Sequence, residues 1–186
     1  MKLIRSLALS IFSLIILSSS CKKHVIPPVN QLSLLPAATQ TGAGTFGCLV
    51  NGQAFVPGGS LFSGSHEQCN YIYTNGGYYF TILTTNQDYN NDVKQVVVET
   101  DSLAISEGEI LPLKLFSAGN ADASYSIIAN NINRYETNNS TAGQLIITKF
   151  DQSNQIVSGT FYFNSIGVAG DTVKVTDGRF DMLYTR

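Results

Sequence analysis

The stretch GQLIITKFDQSNQIVSGTFYFNSIGVAGDTVKVTDGRFDMLY, residues 143–184, predicts an antiparallel meander. Runs rich in β-branched and aromatic residues alternate there with short polar turns at 151–154 and 167–171. Such runs fit a pleated, half-buried surface, and the turns are too short for crossover helices. The sequence therefore predicts three strands, at residues 143–150, 155–166 and 172–184.

The last of these strands changes its alternation partway along. Val173 and Val175 share one face by odd parity, whereas Phe180 and Met182 share a face by even parity. One extra residue would keep both sets directed inward. We therefore expect a β-bulge at 177–178, where a glycine can take the left-handed conformation at low cost.

Two Asn-Gly pairs upstream predict tight hairpins, because both turn residues tolerate positive φ. The first hairpin joins strands at 45–50 and 53–57, and two-residue closure places Cys48 opposite Phe55. The second joins strands at 69–74 and 77–84, and the same rule places Cys69 opposite Ile82. Both cysteines then lie on apolar faces.

The segments between the hairpins and the meander complete the fold prediction. We expect further strands at 93–99, 111–116 and 123–129, followed by a polar, Asn-rich loop at 130–141. The fold class is all-β: an antiparallel β-sandwich of about nine to eleven strands. The alternative is an up-and-down, lipocalin-like β-barrel, which the meander would also suit.

The N-terminus has the pattern of an export signal. Lys2 and Arg5 precede an apolar run at 7–17 that is too short to span a bilayer, and small residues follow before Cys21. This arrangement resembles the lipobox of bacterial lipoproteins, in which the cysteine is acylated with palmitate and becomes the new N-terminus. The prediction is a signal peptide at 1–20, a lipidated Cys21 with a tether to residue 44, and one domain at 45–186.

This N-terminal pattern predicts a lipid-anchored protein of the cell envelope. No acidic residue follows Cys21 that would signal inner-membrane retention, so we expect the outer membrane. The formal net charge is −2, and it becomes −4 when residues 1–20 are removed. A mildly acidic domain argues against nucleic acid as a partner.

Cysteine usage fits export. With Cys21 acylated, Cys48 and Cys69 remain as an even pair in a compartment that permits disulfides. We expect them to be linked, because both lie on apolar faces of the predicted strands. The alternative is a pair of buried free thiols, since cysteine packs well as a small hydrophobic residue.

Both ends of the domain resemble a known family. LPAATQTGAGTFGCLVNGQAF at 35–55, the aromatic hairpin after Cys69, and GQLIITKFD, IVSGTFYFN and GDTVKVTDGRFD within 143–181 look like a family of exported bacterial lipoproteins. That family is known only as a domain of unknown function. The resemblance therefore implies membership and no catalytic or binding residues.

Catalytic residues are sparse, and we expect no enzyme activity and no cofactor. His66 is the only histidine of the domain outside the tether and lies in a Gly- and Ser-rich loop, while the acids are scattered over turns. One weak metal candidate has the alternate spacing of a calcium loop, although Val93 stands where that loop requires glycine. Its residues are Asp88, Asn90, Asp92 and Glu99.

These observations predict a non-catalytic binding or interaction module of the envelope, with an envelope protein or a glycan as partner. Tyr79 and Tyr162 fall on the outer face, where exposed rings could stack on sugars, although we expect neighbouring structure to cover them. Two alternatives stay open. One is a carrier of a small hydrophobic ligand or glycan, and the other is an envelope hydrolase.

Overall fold

The structure, a computed structural model, describes residues 29–59, 65–87 and 92–186. Within those ranges it contains a 3-10 helix, Gln31–Leu34, and eleven β-strands. The strands are β1 Thr45–Val50, β2 Gln53–Phe55, β3 Glu67–Thr74, β4 Gly77–Gln87, β5 Val93–Thr100, β6 Ile110–Pro112, β7 Ala121–Ile128, β8 Ile132–Glu136, β9 Gly143–Asp151, β10 Ile156–Gly167 and β11 Thr172–Leu183. No helix in the described ranges is long and apolar enough to cross a membrane.

The strands form one antiparallel sheet that folds over on itself. Its order is β2-β1-β11-β10-β8-β7-β5-β4-β3, and β9 pairs with β10 and with β6. Rings on strands that are not neighbours meet across the interior: the ring centroids of Phe80 in β4 and Phe180 in β11 are 6.2 Å apart. Strand β10 makes the corner, because residues 156–163 pair with β9 whereas Ile166 and Gly167 pair with β8.

This architecture confirms the predicted all-β antiparallel sandwich. The path of the sheet ends at β2 and β3, so the sheet is not closed and the lipocalin-like alternative is wrong. The core lies between the two layers and is filled by alternate residues of both. Its largest fully buried side chains are Phe46, Phe80, Phe163, Phe180, Ile82, Leu113, Leu145 and Ile147. Burial of each contributes about 1.5–3 kcal/mol relative to exposure.

Both Asn-Gly hairpins form in the predicted register. Cys48 pairs with Phe55 across the first turn, and Cys69 pairs with Ile82 across the second. Asn51 and Asn75 have φ values of 48° and 50°, and the glycine after each also has positive φ. The turns therefore have the conformation that makes Asn-Gly the strongest hairpin signal.

The predicted bulge in β11 is confirmed, and its conformation differs from the expectation. The pairing with β10 shifts between Phe161–Gly178 and Phe163–Val175. The left-handed residue is Asp177, with φ of 54°, rather than Gly178. Gly178 is required for a different reason, since a Cβ there would lie 2.6 Å from the ring of Phe161.

Two predictions for the middle of the chain are wrong in part. The segment predicted as a strand at 111–116 forms a strand only over Ile110–Pro112, because the chain then crosses between layers. Leu113 donates its N–H to Gly143 in β9, whereas the next residue, Lys114, donates to Ala121 in β7. The predicted loop at 130–141 contains β8, whose residues are mostly exposed and pair with β7 and β10.

The described part of the predicted tether is packed on the domain. Leu32 and Leu34 lie in the 3-10 helix and are exposed, whereas Leu35, which caps that helix, is buried. Residues 39–43 then lie along β11, where Thr39, Thr41, Gly42 and Ala43 donate hydrogen bonds to the fully buried carboxylate of Asp181. We call residues 35–44 the N-terminal strap.

Candidate binding site at the tyrosine end of the sandwich

Three tyrosines extend from the core into solvent along the β3–β4 hairpin. Tyr71 and Tyr73 alternate on one face of β3, and Tyr78 of β4 pairs directly with Tyr73. Exposure rises towards the turn, from 8% for Tyr71 to 41% for Tyr78 and 63% for Tyr73. The hairpin thus carries its aromatic face beyond the packed interior.

The three rings form a continuous apolar surface. The rings of Tyr71 and Tyr78 are stacked with centroids 5.0 Å apart and an angle of 8° between their planes. The ring of Tyr73 lies 4.8 Å from that of Tyr78, tilted by 54°. Aromatic pairs at these separations stabilise each other by about 0.5–1.5 kcal/mol, so the surface is held in shape before any ligand arrives.

The opposite layer supplies a second wall. The backbone of Tyr71 donates to Thr185, and Thr185 donates back to Cys69, which holds the end of β11 against β3. The ring of Tyr184 therefore meets Tyr71 edge to face at 5.9 Å. Phe150 stacks behind Tyr184, with ring centroids 5.6 Å apart.

Between these walls lies a cleft of about 390 Å³, which we call the tyrosine cleft. Its lining residues are Tyr71, Ile72, Tyr73, Tyr78, Gln152, Tyr184 and Arg186. The guanidinium of Arg186 donates to the carbonyl of Gln152. The Tyr184 hydroxyl is buried and has no hydrogen-bond partner among the described residues.

Aromatic and polar groups meet in the cleft. Burial raises the pKa of Tyr71, so its phenol stays neutral in the physiological range. Flat apolar faces beside an amide and a guanidinium are suited to stacking and hydrogen bonding with a ligand.

The outer-face tyrosines singled out by the sequence have different surroundings. Tyr79 is partly buried and its hydroxyl lies 2.8 Å from that of Ser102. Tyr162 is 45% exposed, so the expectation that neighbouring structure covers it is wrong. Alternation along the hairpin puts Tyr73 and Tyr78 on the same face as the buried Tyr71, so the sequence pattern alone does not single them out as exposed. Their place beside the turn was the signal that the core does not reach them.

Cys48 and Cys69 are both buried, which confirms their apolar surroundings, but the structure holds them as free thiols. The structure therefore has the alternative, a pair of buried free thiols, in place of the expected disulfide. Cys48 lies in β1, between β2 and β11, whereas Cys69 lies in β3, whose strand partner is β4. Burial raises the pKa of Cys69 to about 12 and that of Cys48 further.

The weak calcium candidate does not assemble. Asp88 and Asn90 lie outside the described residues, as does Cys21. Asp92 and Glu99 stand at opposite ends of the extended strand β5, which separates them by roughly 23 Å. Across the described residues, no group of three His, Cys, Asp or Glu side chains could hold a metal ion. His66 lies near Thr85, its Nδ1 3.2 Å from the hydroxyl oxygen.

The fold and cleft define an antiparallel β-sandwich with an aromatic site at one end. Residues 90–183, slightly more than half of the chain, match the family described as Domain of unknown function (DUF6252). The chain belongs to that family, and the matched region runs through strands β5 to β11. No curated protein and no solved structure matches the chain.

Proposed function

We propose that this protein is a membrane-anchored, non-catalytic binding module of the cell envelope, and that the tyrosine cleft binds a glycan. The anchor rests on the sequence alone: a basic start, an apolar run, and small residues directly before Cys21. The palmitoylated cysteine would hold the domain at the outer membrane.

The observation that carries the glycan proposal is the exposure of two adjacent rings, Tyr73 and Tyr78, above a cleft with hydrogen-bonding walls. One face of a pyranose ring is largely C–H, and it packs flat against an aromatic face. Its equatorial hydroxyls then point sideways, where Gln152 and Arg186 lie. A rigid hairpin that presents such a surface binds with little loss of conformational entropy.

Binding is tested with the full lipidated chain in nanodiscs of neutral lipid, titrated with soluble oligosaccharides prepared from its own envelope. The chain contains no Trp, so after subtraction of the emission of empty nanodiscs its fluorescence comes from its nine tyrosines, and the part of the change that Tyr73→Ala and Tyr78→Ala abolish is assigned to the cleft. We expect quenching on binding, and at least tenfold weaker affinity for Tyr73→Ala and Tyr78→Ala. Tyr73→Phe should bind nearly as the wild type, because stacking does not need the hydroxyl.

Tyr162→Ala is the matched control, since it removes an exposed tyrosine from another surface. Equal loss of affinity in Tyr162→Ala and Tyr73→Ala would contradict a site at the tyrosine cleft. Unchanged affinity in the Tyr73→Ala, Tyr78→Ala double variant would do the same.

A second candidate function, a carrier of a small hydrophobic ligand, is favoured by the cleft at the other end of the sandwich. This cleft of about 350 Å³ lies between the first hairpin and strands β5, β7 and β8. Phe55, Tyr125 and Val173 give it an apolar floor, and Lys94 and Asn51 contribute polar groups. Co-purification of a lipid that is unaffected by Tyr73→Ala would support this candidate over the glycan.

A further inference from the structure

The outer face of β5, β7 and β8 concentrates carboxylates. Glu99 of β5 lies directly opposite Asp122 of β7 in the strand register, and Asp101 and Glu136 stand nearby. Like charges placed directly across neighbouring strands destabilise a sheet. Arg134 is a cation that acts on Asp122, and its Nε is already 2.8 Å from Glu136.

Asp122 lies within this group and is only 4% exposed. In the part of the chain that the structure describes, its Oδ1 is buried and has no hydrogen-bond partner. A buried acceptor without a donor costs free energy, and native proteins rarely retain one without a role for it. The cluster thus lacks a donor at its most buried oxygen.

The electrostatics agree with the geometry. Burial, and then the neighbouring Glu99 carboxylate, raise the pKa of Asp122 to about 7, while Arg134 opposes the shift and Glu136 and Asp101 add to it. Burial also raises the pKa of Glu99. Near neutral pH Asp122 is therefore partly protonated beside Glu99, and we refer to this proton as the one that the pair shares.

We propose that this face is a second binding site, which takes the guanidinium group of an arginine from a basic segment of a partner protein. The argument is charge complementarity: four carboxylates face one arginine that already has its own partner. A guanidinium presents a planar fork of donors, which fits two carboxylates on adjacent strands and supplies the missing donor at Oδ1. On binding, the shared proton leaves the Asp122–Glu99 pair for the buffer, and the pair becomes doubly ionised against the added cation.

The test uses calorimetry on the full lipidated chain in nanodiscs of neutral lipid. The probe is acetyl-Gly-Arg-Gly-amide, compared with its Lys and Gln analogues at pH 7. We expect binding in the order Arg, then Lys, with none for Gln. The heat should differ between two buffers of different ionisation enthalpy, because a proton is released.

Two variants locate the site. Asp122→Asn keeps the shape of the side chain and removes the shared proton, so we expect at least tenfold weaker binding and no buffer dependence. Asp177→Asn is the control, since Asp177 is exposed on β11 and asparagine tolerates its positive φ. It should bind the peptide as the wild type does.

Three results would overturn the proposal. Equal affinity for the Gln peptide and the Arg peptide would show that the charge of the peptide does not matter. Calcium chloride binding that is lost in Asp122→Asn, without any peptide binding, would assign a metal instead. If NMR detects a carboxyl titration near pH 7 that no peptide changes, the pair shares a proton but does not bind a guanidinium.

Discussion

At Asp181, one buried carboxylate holds the N-terminal strap against the sheet. It accepts hydrogen bonds from the backbone of Thr41, Gly42 and Ala43 and from the hydroxyls of Thr39 and Ser158, most of them at 2.6–2.9 Å. Burial opposes ionisation, but these donors outweigh it and hold the pKa of the carboxyl far below its usual range. Asp181 is therefore a charged residue that organises structure.

Asp181→Asn should lower the free energy of unfolding by about 3 kcal/mol, because an amide NH₂ would face N–H donors. The folded pKa lies below the unfolded value of about 3.9, so this stability is fully present above that pH and is lost as pH falls towards the folded pKa. Urea unfolding at pH 7 and pH 3 measures the free energy of unfolding of both proteins. The stability difference between wild type and Asp181→Asn should be smaller at pH 3. Asp177→Asn should have the stability of the wild type at both pH values. A stability difference between wild type and Asp181→Asn that grows as pH falls would contradict the role of the ionised Asp181.

The cysteines give a second residue-scale prediction. Cys48 and Cys69 should resist iodoacetamide in the native protein and react fully in denaturant without reductant, since the thiolate is the nucleophile and burial disfavours it. Mass spectrometry counts the labels. An intact mass two hydrogens below that of the dithiol would instead establish a disulfide.

At the scale of elements, the bulge in β11 bends the sheet where β11 pairs with β10. The ring of Phe161 lies where a side chain of residue 178 would begin, so the sheet can bend there only over a glycine. The bend keeps Val173 and Val175 inward before it and Phe180 and Met182 inward after it.

Gly178→Ala should therefore lower the free energy of unfolding by about 1–3 kcal/mol, as overpacking does elsewhere in cores. Chemical denaturation followed by circular dichroism measures the change. Gly58→Ala is the control, because its φ is not positive and the nearest atom to an added Cβ is 4.0 Å away. Equal stability of the two variants would show that the contact with Phe161 does not constrain the sheet.

Most strands could be predicted because their signals are local. The Asn-Gly turns determine the register of their hairpins, and the parity change from Val175 to Phe180 requires a bulge. Strand β8 could not be found this way. Its residues are exposed except for Tyr135, so burial imposes no alternation, and its strand conformation comes from hydrogen bonds to β7 and β10.

The candidate sites depend on contacts between distant segments. Tyr73 shares its parity with the buried Tyr71, and only the limit of the opposing layer leaves it exposed. From the sequence alone, Asp122 is a polar residue at the start of a predicted strand. Its burial beside Glu99 follows from the pairing of β5 with β7. Such pairings join residues far apart in sequence, which is why alternation alone did not reveal them.

For the whole molecule, the predicted anchor determines where any binding takes place. Cys21→Ser should leave the precursor uncleaved and unlabelled by radioactive palmitate, because the serine hydroxyl does not replace the acylated thiol. Cys69→Ser is the matched control and should be labelled as the wild type, even if the loss of a buried thiol reduces its abundance. Normal labelling of Cys21→Ser would contradict lipid attachment at that residue.

Native mass spectrometry of the lipidated protein, released from its own envelope, tests the proposed function most directly. The wild type is compared with the Tyr73→Ala, Tyr78→Ala double variant, both prepared in the same way. We predict that the wild type retains a saccharide, identified by its mass and fragmentation, and that the double variant does not. A wild type that carries no saccharide, or a double variant that retains the same one, would contradict a glycan site at the tyrosine cleft.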